Sequence, residues 1–453
     1  MGGHATPRLV AFRLLRRMEQ NGAYANLALD SALGRENLSE ADSALCAALV
    51  YGVAERRRTL EYQLEDLLRK PLRQLPPEAK IALELGLYQL YFMQRIPAHA
   101  AINESVELVK HGKAAFAAGM VNAVLRRAAG RELRLPVRGE DELRWLSIRY
   151  SCPEWLCRLW VESYGGETAE ALLAAALEQA PLALRVNTRR CTPAQLRARL
   201  EGAGVACAAS PWLPAALLLP KSGAIPQLPG FGEGWFHVQD TAAQLCCRAL
   251  APEPGETVFD LCAAPGGKSF TLAQMMEDQG RVVAMELHPA RVALIAEGAQ
   301  RLGLRSVAAE QGDAADAAKI LANHGKAARI LCDVPCSGLG VLRKKPDIRE
   351  KTQTDIDKLP KMQYHILCSA SECLREDGTL VYATCTLHPA ENEELCRRFL
   401  QEHPAFTAES VLPEVPGYRR EGEPWLTLMP HINGADGFFI AKFTKRNTHA
   451  SIA

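Results

Sequence analysis

The sequence predicts a multidomain chain: an all-α front, a small α+β middle and a C-terminal doubly wound α/β (Rossmann-like) domain. Three observations carry that prediction. Residues 5–130 show only helical periodicity with short breaks. Residues 182–219 read strand, helix, strand. From Thr257 onward, short apolar runs alternate with helical spacing, the pattern of a parallel sheet with crossover helices. With 453 residues and 48% hydrophobic content, the chain can fill two or three separate cores.

The front opens with a helix over Pro7–Met18, where Leu9, Val10, Phe12, Leu14 and Leu15 interleave with Arg8, Arg13, Arg16 and Arg17. Ser39 before Glu40 and Asp42 is a helix start, with a capping hydroxyl and acid in the first turn. That helix runs through Leu45, Leu49 and Val53 into Arg56-Arg57-Arg58. Pro76-Pro77 and Pro97 open two more helices, and Lys113–Ala128 closes a compact helical set. Arginines 16–17, 56–58 and 126–127 are either an RNA face or ordinary solvated helix faces. Through Tyr150 the chain holds 22 Lys and Arg against 17 Asp and Glu, and thereafter 31 against 35. The overall +1 therefore conceals a modestly basic front, which suits an anionic partner.

Arg131–Asp141, with Pro136 and Gly139, reads as a linker. An amphipathic helix is expected over Trp145–Leu159, with Trp155 and Trp160 in the core, and an alanine-rich one over Thr168–Gln179. Strands are expected at Leu182–Asn187, Ala216–Leu219 and Trp235–Val238. Thr192-Pro193 starts the helix after the first of them, and Gln239–Leu250 is a helix before the larger sheet. The later strands are 257–261, 281–286, 306–310, 329–332 and 379–384, with helices near 268–278, 289–302, 313–323 and 360–375 and a last strand at Phe438–Lys442. The domain limits are set at 1–133, 134–234 and 235–446.

No apolar run reaches the roughly 18 residues that span a bilayer, so no membrane role is expected. The N-terminus lacks the order of a signal peptide. Fourteen cysteines without C-x-x-C or zinc-finger spacing suggest reduced, mostly buried thiols, no metal and a cytoplasmic protein. Nothing in the sequence suggests an obligate oligomer, so a monomer is expected.

The chain is organised around Thr257–Met275. Val258–Leu261 is an apolar strand, Ala264-Pro265-Gly266-Gly267 breaks it, and helical spacing begins at Lys268. Such a loop lies at the carboxyl end of a strand, where open α/β sheets bind ligands. It is not G-x-G-x-x-G. It nearly matches a phosphate-binding loop through Gly267-Lys268-Ser269, but Cys262 stands where the first glycine belongs, which counts against an NTPase. A nucleoside without phosphates, such as S-adenosyl-L-methionine, wants an acid at the end of the next strand, and Glu286 supplies it. Gly312-Asp313, Asp333–Gly338 and Thr384-Cys385-Thr386 follow the later strands. A thiolate is a strong nucleophile, so Cys336 or Cys385 can attack a substrate; the alternative is two buried thiols at strand ends. His388-Pro389-Ala390 reads as a helix start whose dipole favours a Cys385 thiolate.

The set Asp260-Leu-Cys-Ala-Ala-Pro-Gly-Gly-Lys268, Asp333-Val-Pro-Cys-Ser-Gly338 and Tyr382-Ala-Thr-Cys-Thr386 resembles the RNA cytosine-5 methyltransferases of the NOL1/NOP2/Sun family. The resemblance is strong over about 235–445. The helical front is similar to the NusB-like domain of one bacterial branch, which acts on small-subunit (16S) ribosomal RNA. The resemblance implies that Cys262, Ala263, Ala264, Pro265, Gly266, Gly267 and Lys268 line an S-adenosyl-L-methionine pocket. It implies that Glu286 binds the ribose hydroxyls, that Asp313 sits by the adenine amine, and that Asp333 lies by the methionine end and the target base. Cys385 is then the nucleophile that adds to cytosine C6, and Cys336 assists product release. A protonated Asp333, its pKa raised by burial, would bond N3 of the ring. Two departures are Glu286, where the family has Asp, and Val334, where it has Ala. The implied partner is ribosomal RNA or an assembling small subunit, with the base flipped or single-stranded and Arg343-Lys344-Lys345 on the RNA track. The alternative function is an RNA-binding assembly factor on an inactive methyltransferase fold.

Overall fold

The structure, a computed structural model, describes residues 6–21, 36, 38–110, 112–220 and 223–447. The chain divides into two compact units: Met1–Glu178 with Leu342–Lys351, and Gln179–Val341 with Thr352–Ala453.

The first unit is helical. Its helices are Pro7–Asn21, Glu40–Leu67, Pro77–Phe92, Ala98–Lys110 and Ala118–Ala128. Part of the expected helical stretch, 22–35, lies outside the described residues. Ser39 caps the second helix, its Oγ accepting from Asp42 N at 3.1 Å. Pro77–Phe92 buries Ile81, Leu83, Leu85 and Leu87 on several sides, as the central helix of a bundle does. The last helix starts later than expected, because Ala115 and Ala117 donate to Gly112 and Ala114 in a 3₁₀ turn. Of the three arginine clusters, 56–58 is largely inside: Arg57 lies 3.9 Å from buried Glu84, and Arg56 lies 5.0 Å over the Phe92 ring. Arg16, Arg17, Arg126 and Arg127 remain exposed.

The helix expected over Trp145–Leu159 is two, Glu142–Tyr150 and Glu154–Tyr164. Ser151 adopts φ +54°, and Pro153 disfavours helical backbone at the residue before it. Trp160 is buried, and Trp155 is half-buried. The alanine-rich helix spans Gly166–Ala175. Arg349, in the returning segment Leu342–Lys351, is 1% exposed, and its guanidinium donates to Leu342 O (3.1 Å) and Ala176 O (2.9 Å).

The second unit holds two sheets. The smaller is antiparallel, in the order β2-β3-β1-β4, from β1 Leu182–Val186, β2 Ala208–Ala209, β3 Ala216–Leu219 and β4 Phe236–Val238. Helix Pro193–Gly202 starts in a capping box made by Thr192 and Gln195, and seats Leu196 and Leu200 in that core. Strand β2, two exposed residues long, carries no periodicity to read.

The larger sheet comprises β5 Thr257–Leu261, β6 Arg281–Glu286, β7 Val307–Gln311, β8 Ala327–Asp333, β9 Leu374–Thr384, β10 Phe406–Glu409, β11 Leu426–Leu428 and β12 Phe438–Lys445. Its order is β10-β12-β9-β8-β5-β6-β7, with β11 on β12. Strands β5 to β9 are parallel, and β12 runs antiparallel to β9. Alternate residues enter two cores. Val258, Val282 and Leu331 pack with helices Thr241–Leu250, Gly267–Met275 and Pro289–Leu302. Phe259, Val283 and Ile330 pack with Ala317–His324, Leu359–Cys373 and Glu393–Glu402. The helix expected from 313 begins at Ala317, because Asp313 Oδ1 turns the chain by accepting from Ala315 N and Asp316 caps Lys319 N. From β5 the chain winds out through β6 and β7, then returns to β8 and β9 on the other side. The C-terminal ends of β5 and β8 therefore flank a topological switch point.

Candidate active site

Strand β5 runs straight into the glycine loop. Cys262 takes φ +84° and Gly266 φ +104°, and a Cβ on Gly266 would stand 2.4 Å from the Phe270 ring. Cys262 N and Ala263 N both donate to Met285 O (3.1 and 2.8 Å), and Gly266 N donates to Ala263 O (2.8 Å). Pro265 has no N–H. A phosphate cradle needs free backbone N–H groups, and Cys262, Ala263 and Gly266 have committed theirs.

Carboxylates gather around the loop. Asp260 on β5 is fully buried; its Oδ2 accepts from Ser269 Oγ at 2.6 Å, and its other oxygen has no hydrogen-bond partner among the described residues. Burial raises its pKa to about 6, against the Ser269 hydrogen bond and the Lys268 charge. Glu286 ends β6, is 6% exposed and accepts from His288 N at 3.0 Å through Oε1. Asp313 is exposed just past β7, and Gly312 N donates to Glu286 O at 3.1 Å, so the two acids follow adjacent strand ends. Burial pushes the Cys262 thiol up, and Asp333, Asp260, Glu286 and Asp313 push it further. Cys262 is thus a neutral lining group, not a nucleophile. A rim lined by acceptors fits a cationic nucleoside that brings hydroxyl and amine donors, as S-adenosyl-L-methionine does, and repels a polyphosphate.

Asp333, at the end of β8, is ion-paired to Lys268 of the glycine loop, the two side chains being 24% and 15% exposed. Burial works against the ammonium, but Asp333 outweighs it, and the Lys268 pKa is raised. Asp333 is therefore not fully buried as expected: it is partly exposed and faces the Lys268 ammonium.

Cys336 follows β8 and Cys385 follows β9. The parallel register sets Asp333 beside Ala383, and the two sulfurs stand 3.2 Å apart, both partly exposed. The hydrogen bond to Cys385, then burial, pushes the Cys336 thiol well up, and either sulfur can be the donor in that bond. The expected helix dipole at Cys385 is absent. Pro389–Glu391 is one 3₁₀ turn, its Ala390 N already donating to His388 Nδ1, and the α-helix begins only at Glu393.

The loops that carry the sulfurs are tied together. Gly340 N donates to Cys385 O (3.0 Å) and Gly437 N to Gly340 O (2.9 Å); a Cβ on Gly340 would stand 1.9 Å from Gly437 O. Ser337 Oγ meets Thr386 Oγ1 at 2.6 Å. Glu391 Oε2 accepts from Ser337 N and Gln363 Nε2, while Asn392 bridges Thr384 and Thr386. Sequence reasoning missed Glu391, Gln363 and Asn392. Glu391-Asn392-Glu393 looks like the acidic first turn of a helix, and only the fold turns Glu391 inward.

Each residue singled out from the sequence, Cys262 to Lys268, Glu286, Asp313, Asp333, Cys336 and Cys385, lies at or just past the carboxyl end of β5, β6, β7, β8 or β9. Three family profiles match in order along the chain: NusB family over 5–130, the ferredoxin-like domain of RsmF/B-like methyltransferases over 152–226, and 16S rRNA methyltransferase RsmB/F over 247–444. A probable ribosomal RNA small subunit methyltransferase B of Synechocystis is 38% identical, over 97% of this chain and 99% of its own. Its counterpart from Bacillus subtilis is also 38% identical, over 97% and 98%. Among solved structures, PH0851 superposes with a TM-score of 0.81 at 24% identity, covering 97% of this chain and 99% of that one, a likeness of fold.

Proposed function

The chain belongs to the 16S rRNA methyltransferase RsmB/F family, and on that footing we propose that it methylates C5 of a cytosine in small-subunit ribosomal RNA through a covalent adduct between Cys385 and C6. That it is a small-subunit rRNA methyltransferase using S-adenosyl-L-methionine follows from the family; the target atom and the adduct are the proposal. The observation that carries it is the sulfur pair at 3.2 Å, at neighbouring strand ends beside an acid-ringed glycine loop.

The bound cofactor supplies an electrophilic methyl group. Glu286 would hold its ribose hydroxyls, Asp313 its adenine amine, and the backbone of Cys262–Gly267 its flank. Cytosine C5 is too weakly nucleophilic to react unaided, so the Cys385 thiolate adds to C6 and the C5–C6 electron pair becomes available at C5. Charge that develops at N3 is met by a proton from the Lys268–Asp333 pair, replacing the protonated carboxyl expected from the sequence. After transfer, water takes the C5 proton and the C5–H electron pair reforms the C5–C6 double bond. The sulfur–C6 bond breaks with its pair on Cys385, regenerating the thiolate, while the N3 proton returns to the Lys268–Asp333 pair and Cys336 hydrogen-bonds the departing sulfur. The exposed arginines of the helical unit, 16–17 and 126–127, would hold the RNA backbone. We read the protein as a cytoplasmic monomer. Its domain limits are read as 1–133, 134–234 and 235–446; one profile match falls within each, while the compact units divide inside the middle one, at Glu178.

The test is a Cys336→Ala variant incubated with S-adenosyl-L-methionine and small-subunit ribosomal RNA, then run on a denaturing gel. A slow protein–RNA band is expected, and it should vanish when Cys385 is also Ala. Methylation by the wild type with no band in the variant would reject the division of labour between the cysteines. No methylation of any RNA by either protein would move the assembly-factor reading to the front.

A further inference from the structure

Two thiols with separate parts in the chemistry above face each other at the rim. Cys336 Sγ and Cys385 Sγ stand 3.2 Å apart, and both residues are partly exposed. A disulfide holds its sulfurs at about 2 Å, so roughly 1 Å of side-chain movement closes the gap. The closeness is built into the two loops. Asp333 and Ala383, shortly before the cysteines, are partners in the register of β8 and β9. Gly340 N, on the Cys336 loop, donates to Cys385 O at 3.0 Å. Ser337 Oγ, one residue past Cys336, meets Thr386 Oγ1, one residue past Cys385, at 2.6 Å, and both hydroxyl residues are fully buried. Folding has therefore already met the entropy cost of joining residues 49 positions apart. Cys246, Cys332, Cys373 and Cys396, by contrast, are fully buried, out of reach of a dissolved oxidant.

We propose that this pair is a site of reversible oxidative modification: hydrogen peroxide closes Cys336 and Cys385 to a disulfide, which stops methyl transfer and keeps Cys385 from irreversible oxidation. One sulfur, as thiolate, attacks a peroxide oxygen and the O–O bond breaks. The product is a sulfenic acid, and the other oxygen leaves as water. The second sulfur then attacks the first, the S–O bond breaks and the S–S bond forms. A second water carries off that oxygen with the second thiol's proton. In sum, two thiols are oxidised and one peroxide is reduced to two waters. The balance is the same whichever sulfur is oxidised first. Linkage needs only the geometry; the loss of methyl transfer rests on Cys385 as the attacking sulfur.

The test is exposure of the full-length protein to hydrogen peroxide without RNA, then mass spectrometry and a methyl-transfer assay, before and after a dithiol reductant. The wild type should become lighter by two hydrogens, yield a peptide joining Cys336 to Cys385, and lose methyl transfer in proportion to the linked fraction. The reductant should restore both thiols and the activity. In Cys336→Ala the sulfenic acid on Cys385 has no neighbouring thiol and goes on to sulfinic acid, so irreversible loss of Cys385 should be at least ~10-fold faster than in the wild type. Wild-type Cys385 lost irreversibly as fast as in the variant, or linked instead to another cysteine, would overturn the proposal. Should the variant not fold, the wild type decides: a Cys336–Cys385 peptide that the reductant opens upholds it, and the lack of one rejects it. The linked peptide needs neither RNA nor turnover, so a failure here is separable from a failure of the methyltransferase reading, which the gel assay reports.

Discussion

Two clusters of charge, one in each unit, use the same residue types to different ends. In the helical unit, Glu84 is 1% exposed and lies between Arg57 at 3.9 Å and Lys80 at 3.6 Å, while Lys80 also reaches Glu61 at 2.7 Å. At the sheet rim, Lys268 pairs with Asp333, and Asp260, Glu286 and Asp313 add their charges to the field on Cys262. Both clusters contain a carboxyl lifted by burial, Glu84 to about 7 and Asp260 to about 6. A perturbed pKa therefore does not separate structure from function here. The balance of charge does: the first cluster is closed by its own side chains, and the second leaves acceptors over for a cationic ligand.

The comparison breaks if the rim is as dispensable to chemistry as the helical cluster. Cys385→Ala should cut methyl transfer at least ~10³-fold with an unchanged unfolding midpoint, measured by tritium transfer and calorimetry. Retained activity would end the assignment.

The helical cluster should answer to pH instead. Glu84 is protonated in the folded protein up to about pH 7, whereas its ordinary pKa is 4.5. Between those values the unfolded chain has released the proton and the folded one has not, so stability falls as pH rises through the window. Glu84→Gln should remove that slope, worth on the order of 3 kcal/mol, as read by amide exchange in Pro77–Phe92. An unaltered slope would reject the buried-carboxyl account.

Lys268→Met should lower kcat ~10²-fold by leaving Asp333 without its ammonium, a loss of the size seen when one positioned donor is removed. Activity within twofold of wild type would show the pair to be structural, as in the helical unit. The smallest effect sharpens the contrast within the arginines. Replacing exposed Arg17 and Arg126 with Ala should weaken RNA binding and flatten its salt dependence by roughly one unit per lost phosphate contact. Arg57→Ala, inside the helical cluster, should cost stability and leave the salt slope alone.

Much of this was legible from the amino acids. The bounds of β5 and β6 and of the helix Pro289–Leu302 match the expected ones, because apolar runs closed by glycine, proline or acid leave little choice. Strands β10 and β11 were not legible: four and three residues are too few to show a period. The helix over 145–159 failed because its apolar spacing continues across Pro153, whose ring does not.

The amino acids alone place Cys262–Lys268, Glu286, Asp313, Asp333, Cys336 and Cys385 at one rim, since strand–loop–helix order puts strand-end residues together. Which of them touch is settled by the fold. Cys336 and Cys385 are 49 positions apart, Lys268 and Asp333 65, and Ser337 and Glu391 54. Such distant pairs meet through the hydrogen-bonded register of β5, β8 and β9. A shift of register by one residue would turn alternate side chains to the opposite face and separate them.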